Sequence, residues 1–190
     1  MLTQHPTTVK LESLTMPINF NLDFIPIRIA ILTISDSRTL ANDRSGDCLV
    51  ARLEASGHQL AARAIVRDQV EAITKQLAIW VDDPLIDCII TTGGTGVTGR
   101  DVTPEAVERI CDKIIPGFGE LFRWLSYANI GTSTIQSRAL AGVAKATYIF
   151  ALPGSSGAVC DGWDQILQYQ LDSRHQPCNF VELMPRLQEK

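Results

Sequence analysis

Between Leu85 and Glu105 the chain reads LIDCIITTGGTGVTGRDVTPE, and these residue types suit an anionic ligand. Glycines at 93, 94, 96 and 99 let the backbone turn tightly and come close to a ligand, so that their N–H groups can face an anion. Asp101 is the one acid set into that bend. A carboxylate facing a phosphate repels it unless a cation lies between them, so the pattern predicts a phosphorylated ligand held with Mg²⁺, with Asp101 helping to hold the metal. The plain alternative is a solvated loop carrying an acid that favours the start of a helix. The apolar run Leu85, Ile86, Cys88, Ile89, Ile90 before the bend predicts a strand buried on both faces. After it, Thr103 suits an N-cap, Pro104 a first helical position and Glu105 the positive end of a helix dipole.

Two familiar motifs fit this loop poorly. Gly94 to Gly99 spells G-x-G-x-x-G after a strand, but the helix opens near Thr103, too late for the third glycine to pack it against the strand. About 20 residues on, where a dinucleotide fold places an acid after its second strand, the chain reads GFGELFRWL. The P-loop fails as well, because Arg100-Asp101 stands where Lys-Ser/Thr is required.

Other acids and hydroxyls stand where further strands end. Ile27 to Ile34 is a strand pattern leaving through Ser35-Asp36; a helix follows from about Ser45 to Ser56, stopped by Gly57. A second strand at about Gln59 to Val66 leaves through Asp68, and Asp68-x-x-Glu71 has the form of a capping box before a helix carrying Ile73, Leu77 and Trp80. Helices are expected near Pro104 to Ile114 and Gly117 to Tyr127, then a Ser/Thr-rich segment and a small-residue stretch to Lys145. A last strand, Thr147 to Leu152, runs into Pro153-Gly154-Ser155 and a helix to about Leu171. This alternation predicts a three-layer α/β/α fold with a mostly parallel central sheet. Ligands of such sheets bind beyond the carboxyl ends of the strands, where all four polar exits belong. The histidines, His5, His58 and His175, follow none of these strands, which disfavours a Ser-His-Asp hydrolase.

With 190 residues the chain suits one domain, 26–190, preceded by an arm at 1–25 that has no periodic apolar face. A net charge of −4 gives no footprint for nucleic acid or for a membrane surface. Five scattered cysteines form no CxxC pair and fit reduced thiols of a cytoplasmic protein. His175 and Cys178 alone are too few ligands for a zinc site.

Several stretches together resemble the molybdenum cofactor biosynthesis family that includes MoaB and MogA. They are Thr91-Thr92-Gly93-Gly94-Thr95-Gly96 with Arg100-Asp101-Val102-Thr103-Pro104-Glu105, then Pro116-Gly117-Phe118-Gly119-Glu120, Gln136-Ser137-Arg138-Ala139 and Leu152-Pro153-Gly154-Ser155. Gln170 to His175 with Pro177-Cys178-Asn179-Phe180 is similar to the MoaB branch in particular. The resemblance spans roughly Ile27 to Leu187.

The resemblance implies a molybdopterin-binding domain whose best-defined activity is adenylylation: the terminal phosphate of molybdopterin attacks the α-phosphorus of MgATP and pyrophosphate leaves. By motif position, the amides of Thr92, Gly93, Gly94, Thr95 and Gly96 would hold pterin-side phosphate. Asp101 and Asp68 would act through Mg²⁺ and alignment. Ser35, Asp36, Pro153, Gly154 and Ser155 would line the crevice, with Ser137 beside them. The bare residues also allow Asp68 as a helix cap, Ser35-Asp36 as a turn, Ser155 as the end of a turn and Ser137 as a cap. The family also implies trimers, with hexamers in the MoaB branch, and other cofactor-synthesis enzymes as candidate partners. A non-catalytic pterin-binding scaffold and a nicotinamide-dependent enzyme are the competing readings.

Overall fold

The computed structural model describes residues 18–189. Six strands, β1 (Arg28–Ile34), β2 (Gln59–Val66), β3 (Cys88–Thr92), β4 (Lys113–Ile114), β5 (Leu140–Ala144) and β6 (Thr147–Leu152), form one sheet in the order β2-β1-β3-β6-β5-β4. β2, β1, β3 and β6 are mutually parallel, while β5 runs antiparallel to β6 and β4 antiparallel to β5. Five main helices cover it: α1 (Arg44–Ala55), α2 (Val70–Val81), α3 (Thr103–Ile110), α4 (Pro116–Ile130) and α5 (Ser156–Gly162). The last continues through a π-helical turn, Trp163–Leu167, into Gln168–Gln170.

Successive strand residues point to opposite faces, so β1 alone feeds two cores. Ile29 and Ile31 pack with Leu49 and Leu53 of α1, Phe118 and Phe122 of α4, and Val159 and Trp163. Ala30, Leu32 and Ile34 pack with Ile73, Leu77 and Trp80 of α2 and with Ala106 and Val107 of α3. The result is the three-layer α/β/α architecture with a mostly parallel sheet. β1 lies between β2 and β3, so the chain reverses its direction of travel across the sheet at that strand. A crevice opens at such a reversal, beyond the carboxyl ends of β1 and β3.

The structure departs from the sequence pattern in three places. The helix expected to reach Ile114 stops at Ile110, and Cys111 turns extended so that Lys113–Ile114 can pair with Gly142 and Val143. The small-residue stretch before Lys145 is strand β5; a side chain at Gly142 would sit 2.5 Å from the Cys111 sulfur, so close approach requires glycine there. α2 is capped by Gln69 with no side-chain bond, not by Asp68.

Residues 18–25, assigned to the arm, lie on the chain's own C-terminal segment. Ile18 bridges to His175, Asn19 N–H donates to the Arg174 carbonyl, and Ile25 N–H donates to Ser173 Oγ. The Arg174 guanidinium lies over the rings of Phe20 and Phe24. Residues 1–17 of the expected arm fall outside the described residues. No helix among those described is long and apolar enough to cross a membrane.

Candidate functional site

The β3–α3 loop is held open by its own hydrogen bonds. Gly93 and Gly94 have φ of +108° and +64°, a region that side chains rarely enter. At Gly93 a Cβ would lie 2.2 Å from the Ile34 carbonyl oxygen, so β1 and the loop touch backbone to backbone. Thr103 does not cap α3 from outside: it is the first helical residue, and its hydroxyl donates to the Gly93 carbonyl at 2.8 Å. Thr92 Oγ1 donates to the Pro153 carbonyl at 3.0 Å, and Gly154 abuts Gly93, which ties this loop to the β6–α5 loop. Thr92 and Gly93 are therefore struts. Among the described residues no acceptor takes the N–H groups of Gly94 and Thr95, so these two amides are free for a ligand.

Three carboxylates surround the bend. A Cβ on Gly94 would lie 3.1 Å from Asp68 Oδ1, and one on Gly96 would lie 2.7 Å from Asp101 Oδ2, so the two acids flank the loop from either side. Asp36, leaving β1, accepts from the Asp68 N–H at 3.4 Å and pairs with Arg100 across the crevice. Burial raises the Asp68 carboxyl above its ordinary value; the charges of Asp36 and Asp101 push the same way, and Arg100 opposes them. Burial also pushes Asp101 upward, but hydrogen bonds from Thr98 and the Gly96 N–H, with Arg138 nearby, outweigh it and hold that carboxyl low. Asp101 does not stand free in solvent: its Oδ2 accepts from Thr98 N–H at 2.9 Å and Thr98 Oγ1 at 2.6 Å.

The remaining expected residues divide by role. Ser35 Oγ accepts from the N–H groups of Ser37 and Arg38, both at 3.3 Å, and so shapes its own turn. With Asp36 and Arg38 it lines a groove of about 390 Å³ along the end of β2. Thr95, Gly96, Ser137, Pro153 and Ser155 line a second cavity of about 220 Å³, floored by Phe122. Ser155 also caps α5 by accepting from Ala158 N–H at 3.2 Å, whereas Ser137 closes the 3-10 turn Gly131–Gln136 through its N–H to the Thr134 carbonyl and its Oγ accepts only a 3.4 Å contact from Ala139 N–H. Gly154 offers its carbonyl to Arg38 at 3.2 Å.

Three residues that position the site were given no role in the sequence reading. Arg138 clamps the loop: its N–H donates to the Thr95 carbonyl at 2.8 Å, its Nε to the Gly96 carbonyl at 2.6 Å, and its other nitrogens reach the Asp101 carbonyl and Glu105. Asp43 is wholly buried and accepts from Thr33 Oγ1, Arg63 and Gly46 N–H at 2.7, 2.9 and 3.1 Å. Burial opposes its charge, yet those bonds together hold its carboxyl below the usual range. Arg38 spans from Asp43 and Ser45 to Gly154, joining the exits of β1 and β6. Asp43 before an apolar helix is a legible N-cap; the partners of Arg38 and Arg138 lie too far along the chain for any local pattern.

Residues 30–173 match the family model described as "Probable molybdopterin binding domain". The chain is 47% identical over 158 residues to molybdenum cofactor biosynthesis protein B of Escherichia coli strain K12, covering 83% of this chain and 93% of that one. The protein of the same name from Bacillus subtilis strain 168 is 45% identical over 134 residues, 70% of this chain and 79% of its own. A crystal structure of a molybdenum cofactor biosynthesis protein B superposes with a TM-score of 0.79 at 37% identity, over 87% of this chain and 98% of that one. The tungsten cofactor synthesizing protein MoaB from Pyrococcus furiosus gives 0.71 at 28% identity, over 86% and 98%.

Proposed function

This chain belongs to the molybdopterin-binding domain family of molybdenum cofactor biosynthesis, with the proteins named B as its relatives, and we propose that it binds molybdopterin and adenylylates it with MgATP. One observation carries the reading: Asp36, Asp68 and Asp101 flank a glycine bend with two free amides, at the strand exits where the sheet reverses. The amides of Gly94 and Thr95 receive the terminal phosphate of the pterin, while the 220 Å³ cavity against Phe122 takes its flat ring. Ser35, Asp36 and Arg38 offer the neighbouring groove to the nucleotide.

Among the described residues no three His, Cys, Asp or Glu side chains are grouped to hold a metal on their own. That fits Mg²⁺ arriving on ATP, because Mg²⁺ commonly takes one or two carboxylates together with substrate phosphates and water. Asp68 and Asp101 are its expected protein ligands. The Asp68 carboxyl is raised first by burial and then by the charges of Asp36 and Asp101, and a bound cation would favour its ionised form. In the reaction a phosphate oxygen of the pterin forms a bond to the α-phosphorus of ATP, the α–β bridging bond breaks, and pyrophosphate departs; Asp68 and Asp101 would hold a cation that offsets the charge on these phosphates. Positioning and charge neutralisation supply the acceleration, and no covalent enzyme nucleophile is needed.

Incubation with molybdopterin and MgATP is expected to release pyrophosphate in proportion to enzyme. Loss of that release in Asp101→Asn, with an unchanged circular-dichroism spectrum, supports the assigned role; unchanged turnover defeats it. Thermal stabilisation by molybdopterin without pyrophosphate, at any enzyme concentration, identifies the non-catalytic binder instead.

A further inference from the structure

Cys48 on α1 and Cys160 on α5 place their sulfurs 3.0 Å apart across 112 positions of sequence. A disulfide bond is about 2.05 Å long, so a shift of about 1 Å between two adjacent helices would close it. Both side chains are half-buried and within reach of a small solute, whereas Cys88 is sealed in the core. A cation is fixed beside the pair: Arg52 Nη1 lies 3.0 Å from the Cys48 sulfur, and Asp164 holds that guanidinium by two bonds of 2.8 Å. None of these groups belongs to the carboxylate cluster around the glycine bend.

We propose that Cys48 and Cys160 are an oxidative modification site, at which a hydroperoxide links α1 to α5 through a disulfide. Burial, with the contact from Cys160, pushes the Cys48 thiol up to about 11, while the Arg52 charge works the other way. One sulfur of the pair gives up its proton and takes one peroxide oxygen, forming a sulfenic acid, and the departing hydroxide picks up that proton to become water. The other sulfur, 3.0 Å away, then attacks the oxidised one; its proton and the displaced hydroxide leave as a second water. Two thiols lose two electrons and one peroxide gains them.

The whole protein is treated with hydrogen peroxide and mapped without reduction. The expected product is a single linked peptide joining Cys48 to Cys160, removed by dithiothreitol, with a rise in Tm of roughly 5–10 °C. Cys48→Ala and Cys160→Ala should lose both the link and the rise. Bridging through Cys178 between chains, or sulfinic acid at Cys160 with no link, overturns the proposal. Since the peptide map is made on the unaltered chain, it decides the matter even where a variant folds poorly.

Discussion

Asp68 illustrates a side chain kept where it is costly to the fold. Its pKa lies above its ordinary value because burial and the charges of Asp36 and Asp101 disfavour the ionised form. A carboxyl raised in this way contributes stability as the protonated acid, and loses that contribution as pH climbs through its folded value. Once ionised, it carries the cost of burial and of the neighbouring charges. Asp68→Asn is therefore expected to raise Tm near neutrality, with the gap from the unaltered protein narrowing on acidification. If the carboxylate aligns the metal, the same variant should lose pyrophosphate release by about 100-fold or more. Parallel melting and turnover measurements separate the two effects, and a variant both less stable and fully active contradicts this account. The sequence showed that Asp68 and Asp101 each follow a strand, and motif resemblance named them. It could not show that they share one glycine bend, because their proximity depends on which strands are neighbours. The cap expected at Asp68 failed for a related reason: its carboxylate is directed toward the loop, and Gln69 begins the helix instead.

Among the elements, the first turn of α1 and the strands beneath it are joined by Asp43. Thr33 of β1, Arg63 of β2 and Gly46 of α1 all donate to this one buried carboxylate. Asp43→Ala leaves Arg63 with Asp47 alone and removes the cap together, and should cost about 2–4 kcal/mol of stability in chemical denaturation. Below 1 kcal/mol, Asp43 would be ordinary surface. His58, opening β2, supplies a pH effect. Burial drives its pKa from 6.5 to about 4, against the charge of Asp172, and its Nδ1 accepts from the Ile27 N–H at 3.4 Å. A base whose folded pKa is depressed adds stability above its unfolded value and loses it as pH falls through the folded one. Denaturation midpoints should therefore drop between pH 6.5 and about 4, and His58→Gln should flatten that slope. Elements buried on both faces were legible because parallel strands are nearly continuous apolar runs. β5 was not: Leu-Ala-Gly-Val-Ala has no alternation of its own, and it becomes a strand only by pairing with β6.

At the scale of the whole molecule, α4 turns an apolar stripe outward. Leu121, Trp124, Tyr127 and Ile130 recur every three residues and are all exposed, with Trp124 at 57%. Such a stripe fits the homo-oligomer that the family resemblance implies. Sedimentation is expected to show a trimer or hexamer, and Trp124→Asp to shift it toward monomer; a monomer in the unaltered protein rejects the assembly. Sheet reversal at β1 was not readable from alternation alone, since β-α-β-α-β permits several strand orders. The segment of residues 18–25 also lay beyond reach, because its fit depends on Ser173, Arg174 and His175, some 150 positions downstream. That packing lies by the start of β1, at the far end of the sheet from the glycine bend. Cys178, the exposed thiol of the five, sits in the same region. A maleimide tether on Cys178 would thus moor each molecule to a sensor chip by its closed end, with the ligand crevice facing the flowing solution.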